Sequence, residues 1–129
     1  MPRAKQLTLT VPDRPGMLGD IATALGAKKV NIVGVCGATT GGGGMIWLVV
    51  DKPAAAKKVF AQNGWQATED EVLAVTLSDS PGSLGRFATK LGKAGVNISF
   101  VYAGSARSAR KLTGYFGVSD LKAALKVRA

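Results

Sequence analysis

Two stretches decide the fold of this chain: DRPGMLGDIATALG at residues 13–26 and DSPGSLGRFATKLG at residues 79–92. The second repeats the first at a constant offset, Asp13 returning as Asp79. The offset persists downstream, where Val30-Asn31-Ile32 becomes Val96-Asn97-Ile98. A match that spans a loop, a helix-like stretch and the segment beyond marks a duplicated supersecondary unit rather than a short motif. The repeat predicts two modules, residues 1–68 and 69–129, each of a size that is marginally stable alone.

Outward from the first copy, Gln6 to Val11 alternates polar residues with Leu7, Leu9 and Val11, the period of a half-buried strand that ends at Pro12. Pro15 suits the first turn of a helix, Leu18, Ile21, Ala22 and Leu25 form its apolar stripe, and Gly26 with Lys28 and Lys29 suits its end. Val30 to Val35 reads as a second strand, Thr39 to Gly44 as a glycine-rich turn, and Met45 to Val50 as a third strand whose unbroken hydrophobicity predicts burial on both faces. Pro53 opens a second helix with Ala56, Val59 and Phe60 on its inner face. Asn63-Gly64 closes it before Trp65 starts a fourth strand. The second module repeats the order with a strand from Val72 to Leu77, a helix from Pro81 to Ala94 and a strand from Val96 to Ala103. A turn at Ser105 to Arg110, a strand from Leu112 to Val118 and a helix capped by Ser119 and running through Leu121 and Leu125 complete it. No residues remain for its fourth strand. The expected fold is α+β, two ferredoxin-like βαββαβ modules of which the second lacks its final strand, leaving one sheet edge without a cover from its own module.

Composition narrows the chemistry. The 129 residues contain no histidine and one cysteine, Cys36, which removes the commonest general base and metal ligand and rules out an internal disulfide. The eight carboxylates offer no paired acid and base, so no reaction, metal or cofactor is predicted. Met45 to Val50 is the longest apolar run, too short to cross a bilayer, and no basic-then-apolar segment opens the chain; a cytoplasmic protein without a membrane partner is expected. Seventeen Lys and Arg against eight Asp and Glu give +9, which invites an anion or nucleic-acid partner. The excess is spread evenly, +5 in residues 1–66 and +4 in residues 67–129, with Arg107, Arg110 and Lys111 the nearest approach to a cluster. Such dispersal reads as solvated faces.

The repeated Asp-x-Pro-Gly-x-Leu-Gly turn carries the functional signal. Proline fixes one backbone angle and the following glycine removes a side chain, so the amides of the helix's first turn are left open to a carboxylate or phosphate. The plainer reading is that Asp13 and Asp79 cap their helices. Asn31 and Asn97 open the second strand of each module and are expected at the same sheet end as the turn, each adding an amide that both donates and accepts. Helix amides for a carboxylate and carbonyl oxygens for an ammonium would together suit an amino acid.

Those residues make the chain resemble a tandem ACT-domain protein, a small amino-acid-sensing module associated with metabolic enzymes. The resemblance spans nearly all 129 residues. It implies an amino-acid ligand between modules and allosteric regulation of an enzyme partner. Residue by residue it points to Asp13, Arg14, Pro15, Gly16, Met17, Leu18 and Asn31, and to Asp79, Ser80, Pro81, Gly82, Ser83, Leu84 and Asn97. A homodimer is expected. Two other readings stand beside it. One is a ligand-free interaction or dimerisation subunit of a metabolic enzyme or regulator. The other is an RNA-binding ferredoxin-like protein, since the same element order builds the RNA-recognition fold and Gly114-Tyr115-Phe116-Gly117 faintly resembles its base-stacking strand. Against nucleic acid, Tyr115 and Phe116 are adjacent and must point to opposite faces, and the cations are dispersed. Gly41 to Gly44 lacks the Gly-Lys-Ser/Thr of a phosphate loop and reads as a hairpin. Cys36 reads as a small core hydrophobe, and Trp47 and Trp65 as packing residues.

Overall fold

In the computed structural model, residues 3–129 are described, apart from the side chain of Arg107; that member of the expected basic cluster lies outside the described residues. The chain divides into two compact units. The first is Lys5–Asp70, and the second is Glu71–Ala129 together with the start of the first strand.

The first unit follows the order β1 (Arg3–Val11), α1 (Met17–Ala27), β2 (Ile32–Thr40), β3 (Gly43–Val50), α2 (Pro53–Gln62) and the first half of β4 (Gln66–Ser78). Its strands are antiparallel in the order β2-β3-β1-β4. Register ties Leu7 to Leu48 and Val11 to Gly44 across β1 and β3, and Val35 to Leu48 and Thr39 to Gly44 across β2 and β3. The alternating residues Leu7 and Leu9 of β1 and Leu48 of β3 are wholly buried, and Ile21 and Leu25 of α1 and Ala56 and Phe60 of α2 cover them. Each wholly buried leucine or isoleucine contributes about 1.5–3 kcal/mol relative to exposure.

The second unit contains the rest of β4, α3 (Ser83–Lys93), β5 (Ile98–Ala106), a single 3₁₀ turn (Arg107–Ala109), β6 (Lys111–Val118) and α4 (Leu121–Leu125), with strand order β4-β6-β5. Phe87 of α3 meets Phe116 of β6 edge-on, ring centroids 5.6 Å apart, inside a core completed by Leu73, Leu77 and Leu91. Among the described residues this unit has no fourth strand of its own, as expected from the sequence. The open side of β4 is met instead by the start of β1, where the Arg3 guanidinium lies 3.2 Å from the Glu71 carboxylate. In the first unit Lys5 of β1 and Lys57 of α2 approach Glu69 of β4 at 4.0 and 2.7 Å.

Several expectations are corrected. The stripe of α1 is Met17, Ile21 and Leu25, while Leu18 remains 47% exposed, because the helix starts at Met17 and the inward residues recur every four positions from there. The strand β2 begins at Ile32 and runs to Thr40, so the turn shrinks to Gly41-Gly42. Burial of β3 is not uniform. Ile46, Leu48 and Val50 face the helices, Met45 and Trp47 are half-buried, and only Val49 is buried on the other side. Trp65 precedes β4 and packs on the first core, 6.3 Å from Phe60 by ring centroids. The two strands expected either side of residue 70 are a single thirteen-residue strand. Cys36 is half-buried on β2, in register with Trp47, rather than in the core. The cap of α4 is Asp120, whose carboxylate accepts the Ala123 amide at 3.0 Å; Ser119 instead accepts the Asn97 amide through its hydroxyl.

Candidate functional site

Each repeated turn delivers the chain into a helix through a glycine in the left-handed region, Gly16 at φ 85° before α1 and Gly82 at φ 86° before α3. That angle is open to glycine at little cost and strained for other residues, which accounts for the glycine in both copies. Neither helix has a side-chain cap. The capping role expected of Asp13 and Asp79 is therefore corrected: each helix starts four residues after its aspartate, and the N-cap position belongs to the left-handed glycine. Asp13 turns to the hairpin instead, accepting the Thr39 hydroxyl at 3.1 Å.

Pairing of Val11 and Thr39 with Gly44 brings the β1–α1 turn and the β2–β3 hairpin to one end of the first unit. A crevice of about 360 Å³ opens there, within the usual range for small-molecule sites, roughly 300–1,000 Å³. Asp13, Arg14, Gly16, Met17, Leu18 and Gly19 line one wall, and Gly37 to Thr39 with Gly44 to Ile46 line the other. The small residues of the hairpin leave the room. The helical ladder begins with the Asp20 amide on the Gly16 carbonyl at 2.9 Å, so the Leu18 and Gly19 amides precede it and have no intrahelical acceptor. Arg14 contributes no free charge: its guanidinium holds Asp20 at 2.6 Å and the Pro15 carbonyl at 3.2 Å.

Of the residues expected in the first copy, the crevice gathers Asp13, Arg14, Gly16, Met17 and Leu18. Pro15 shapes the turn without lining it. Asn31 stands at the opposite end, where its amide N–H donates to Asp51 at 2.8 Å and Ile32 pairs with Val50. The expectation that it lies beside the turn of its own unit is corrected. The eleven residues of α1 carry the chain about 16 Å away, at about 1.5 Å per residue, before β2 begins. Asn97 is displaced likewise, its carbonyl accepting the Ser119 amide near Val118. In the second unit the Asp79 amide donates to the Arg110 carbonyl at 3.0 Å. Ser80 shares a 2.9 Å contact with Ser78, Leu84 is exposed, and Ser83 is buried against a separate crevice of about 340 Å³. The residues missed from sequence are Thr39, the small hairpin residues and, in the second unit, Ser78, Arg86 and Lys90. One signal for the last group was present: Arg86 stands 66 positions after Asp20, a sign reversal inside the repeat.

The aromatic strand β6 divides as expected, with Phe116 wholly buried and Tyr115 half-buried beside Tyr102 at 5.3 Å between ring centroids. Half of the faint RNA-binding resemblance is thus core. Among the described residues no group of three or more Asp, Glu or Cys is placed to hold a metal ion, and no helix is long and apolar enough to cross a membrane.

Residues 5–60 match the ACT domain family. Among solved structures, a Bacteroides thetaiotaomicron protein is similar at a TM-score of 0.90 and 21% identity, over 98% of this chain and 86% of its own. The ligand-free regulatory subunit of aspartate kinase from Thermus thermophilus is similar at a TM-score of 0.69 and 14% identity, over 97% of this chain and 89% of its own. That of Thermus flavus gives 0.66 and 16%, over 98% and 90%. At these identities the structural similarity shows a shared fold alone. No curated protein matches the sequence.

Proposed function

We propose that this protein, whose residues 5–60 match the ACT domain family, is a regulatory module that binds a small amino acid in the first unit's crevice. The observation that carries the reading is that the Asp13 carboxylate and the start of α1 line the same space. The ligand's carboxylate takes the Leu18 and Gly19 amides, favoured by the positive end of the helix dipole. Its ammonium takes Asp13, the role first expected of Asn31. Met17, Met45 and Ile46 receive a short side chain. With Arg14 already paired to Asp20, the cradle offers one net negative group and one set of amide donors, the complement of a zwitterion.

Regulation then follows from differential binding: a conformation whose turn and hairpin close on the ligand gains population by the binding energy it alone collects. The resemblance to regulatory subunits of aspartate kinase supports a metabolic enzyme as the responding partner, with the protein acting in the cytoplasm as a homodimer. A thermal-shift screen of the twenty amino acids tests the reading. A ligand at one hundred times its Kd adds about 2.7 kcal/mol. One or a few small amino acids should raise the Tm of the wild type and leave Asp13→Asn and Gly16→Leu unmoved. If none raises it, or if Asp13→Asn responds as the wild type does, the assignment is wrong.

A further inference from the structure

The two repeats have exchanged charges around their turns. In the first unit a guanidinium at position 14 is neutralised by Asp20. In the second, position 80 is Ser80 and position 86 is Arg86, so the acid is gone and the guanidinium comes from the helix. Arg86 still reaches the same place. Its Nη1 lies 2.8 Å from where a Cβ on Gly82 would stand, as Arg14 Nη1 lies 3.8 Å from the corresponding point on Gly16. Arg86 has no carboxylate partner among the described residues.

The 340 Å³ crevice beside it is lined by Ser78, Ser83, Arg86 and Lys90, with Thr76, Leu77 and Phe87 behind, and by Ala129; the acidic group it holds is the Ala129 carboxylate, with no Asp or Glu side chain in its lining. Arg86 and Lys90 are one helical turn apart and reach the same space. The Ser78 hydroxyl lies 2.9 Å from that of Ser80 and donates to Ser83 at 3.4 Å, which leaves the Ser83 proton to turn toward an acceptor in the crevice. Lys90 is engaged by one neutral partner, the Arg128 carbonyl at 3.3 Å, and no acidic side chain lines the crevice to pair with it. Two side-chain cations against the single Ala129 carboxylate leave the crevice with an excess of positive charge. A compact dianion with several acceptor oxygens fits both charges and the Ser83 hydroxyl, and a phosphate offers the guanidinium fork, the ammonium and the hydroxyl more acceptor oxygens than a carboxylate does.

We propose that the second unit's crevice is a phosphate-binding site, distinct in chemistry from the first and suited to inorganic phosphate or the phosphate of a small phosphorylated metabolite. It does not depend on the first crevice holding an amino acid. The test is a titration of the full chain followed by ¹H–¹⁵N spectra, at constant ionic strength with chloride as the balancing ion. Inorganic phosphate should shift the amides of Gly82, Ser83 and Arg86 saturably, while the resonances of Gly16 to Gly19 stay in place. Arg86 is exposed, so Arg86→Gln should fold and weaken the apparent affinity at least tenfold; Arg86→Lys should retain part of it. Adding glucose 6-phosphate as a second arm distinguishes the free ion from an esterified one: tighter binding of the ester assigns the site to a metabolite, and equal binding to the ion. Linear, unsaturable shifts overturn the proposal, as does equal phosphate binding by Arg86→Gln. Saturation by succinate or glycine but not by phosphate overturns it too.

Discussion

Replacing Gly16 by alanine isolates the backbone requirement of the turn. At φ 85° an alanine is strained by about 1–2 kcal/mol. The shortened list of unfolded conformations returns about 0.4–1 kcal/mol, which leaves a net loss of roughly 1 kcal/mol. No steric term is added, since the nearest atom to the new Cβ is Arg14 Nη1 at 3.8 Å, an ordinary contact. Gly19, three residues on and inside α1, has nothing within 4 Å of its would-be Cβ and no positive φ. There alanine should stabilise by about 0.5–1 kcal/mol through helix propensity. For a chain of this length 1 kcal/mol moves Tm by about 3–6 °C. The pair should therefore move in opposite directions, Gly16→Ala downward and Gly19→Ala upward, in thermal and urea melts followed by circular dichroism. A Gly16→Ala protein as stable as the wild type, or more so, would refute the left-handed geometry and the open helix start that depends on it.

Two other perturbations probe separate parts of the molecule. Phe116→Ala should cost about 3–5 kcal/mol, because the ring is wholly buried and packs edge-on against Phe87; a loss below 1 kcal/mol in urea melts would contradict that core. Glu69 is held below its ordinary value of 4.5, first by the hydrogen bond from Lys57; desolvation opposes this, and the charges of Lys57 and Lys5 lower the value further. A depressed folded-state value stabilises at pH above the unfolded value and is lost as pH falls through the folded one. Glu69→Gln should thus flatten the acid side of the stability profile below about pH 4.5 and leave its alkaline side unchanged. A parallel shift of the whole profile would show that the charge is not what matters.

The duplication was legible because it repeats glycine and proline, residues whose backbone roles survive divergence of their neighbours. The inner faces of β1 and α2 were legible for the same kind of reason: period two at Leu7 and Leu9, and three-four spacing at Ala56, Val59 and Phe60, leave one solution each. Where the reading failed, chain direction or partner choice decided. Asn31 was placed by its proximity in sequence to a helix, yet that helix carries it to the far end of the sheet. Asp13 has the composition of a cap, but the turn's left-handed glycine shifts the helix start and Thr39, 26 residues later, claims its carboxylate. The apolar run of β3 concealed the unequal burial of its two faces, Met45 and Trp47 staying half-exposed. The cationic crevice was hidden in a different way. Its serines and basic residues look like ordinary surface in isolation, and only the neighbour relations of α3 and the end of β4 bring them together.

Strand β4 carries Glu69-Asp70-Glu71, an acidic run in a chain of net charge +9. Alternation puts Glu69 and Glu71 on one side of the strand; Glu69 meets Lys5 in the first unit and Glu71 meets Arg3 in the second. A slip of one position would turn either acid away from its base, because successive side chains of a strand face opposite sides. Each exposed pair adds little stability, yet each favours its own alignment over the slipped one, least well in concentrated salt.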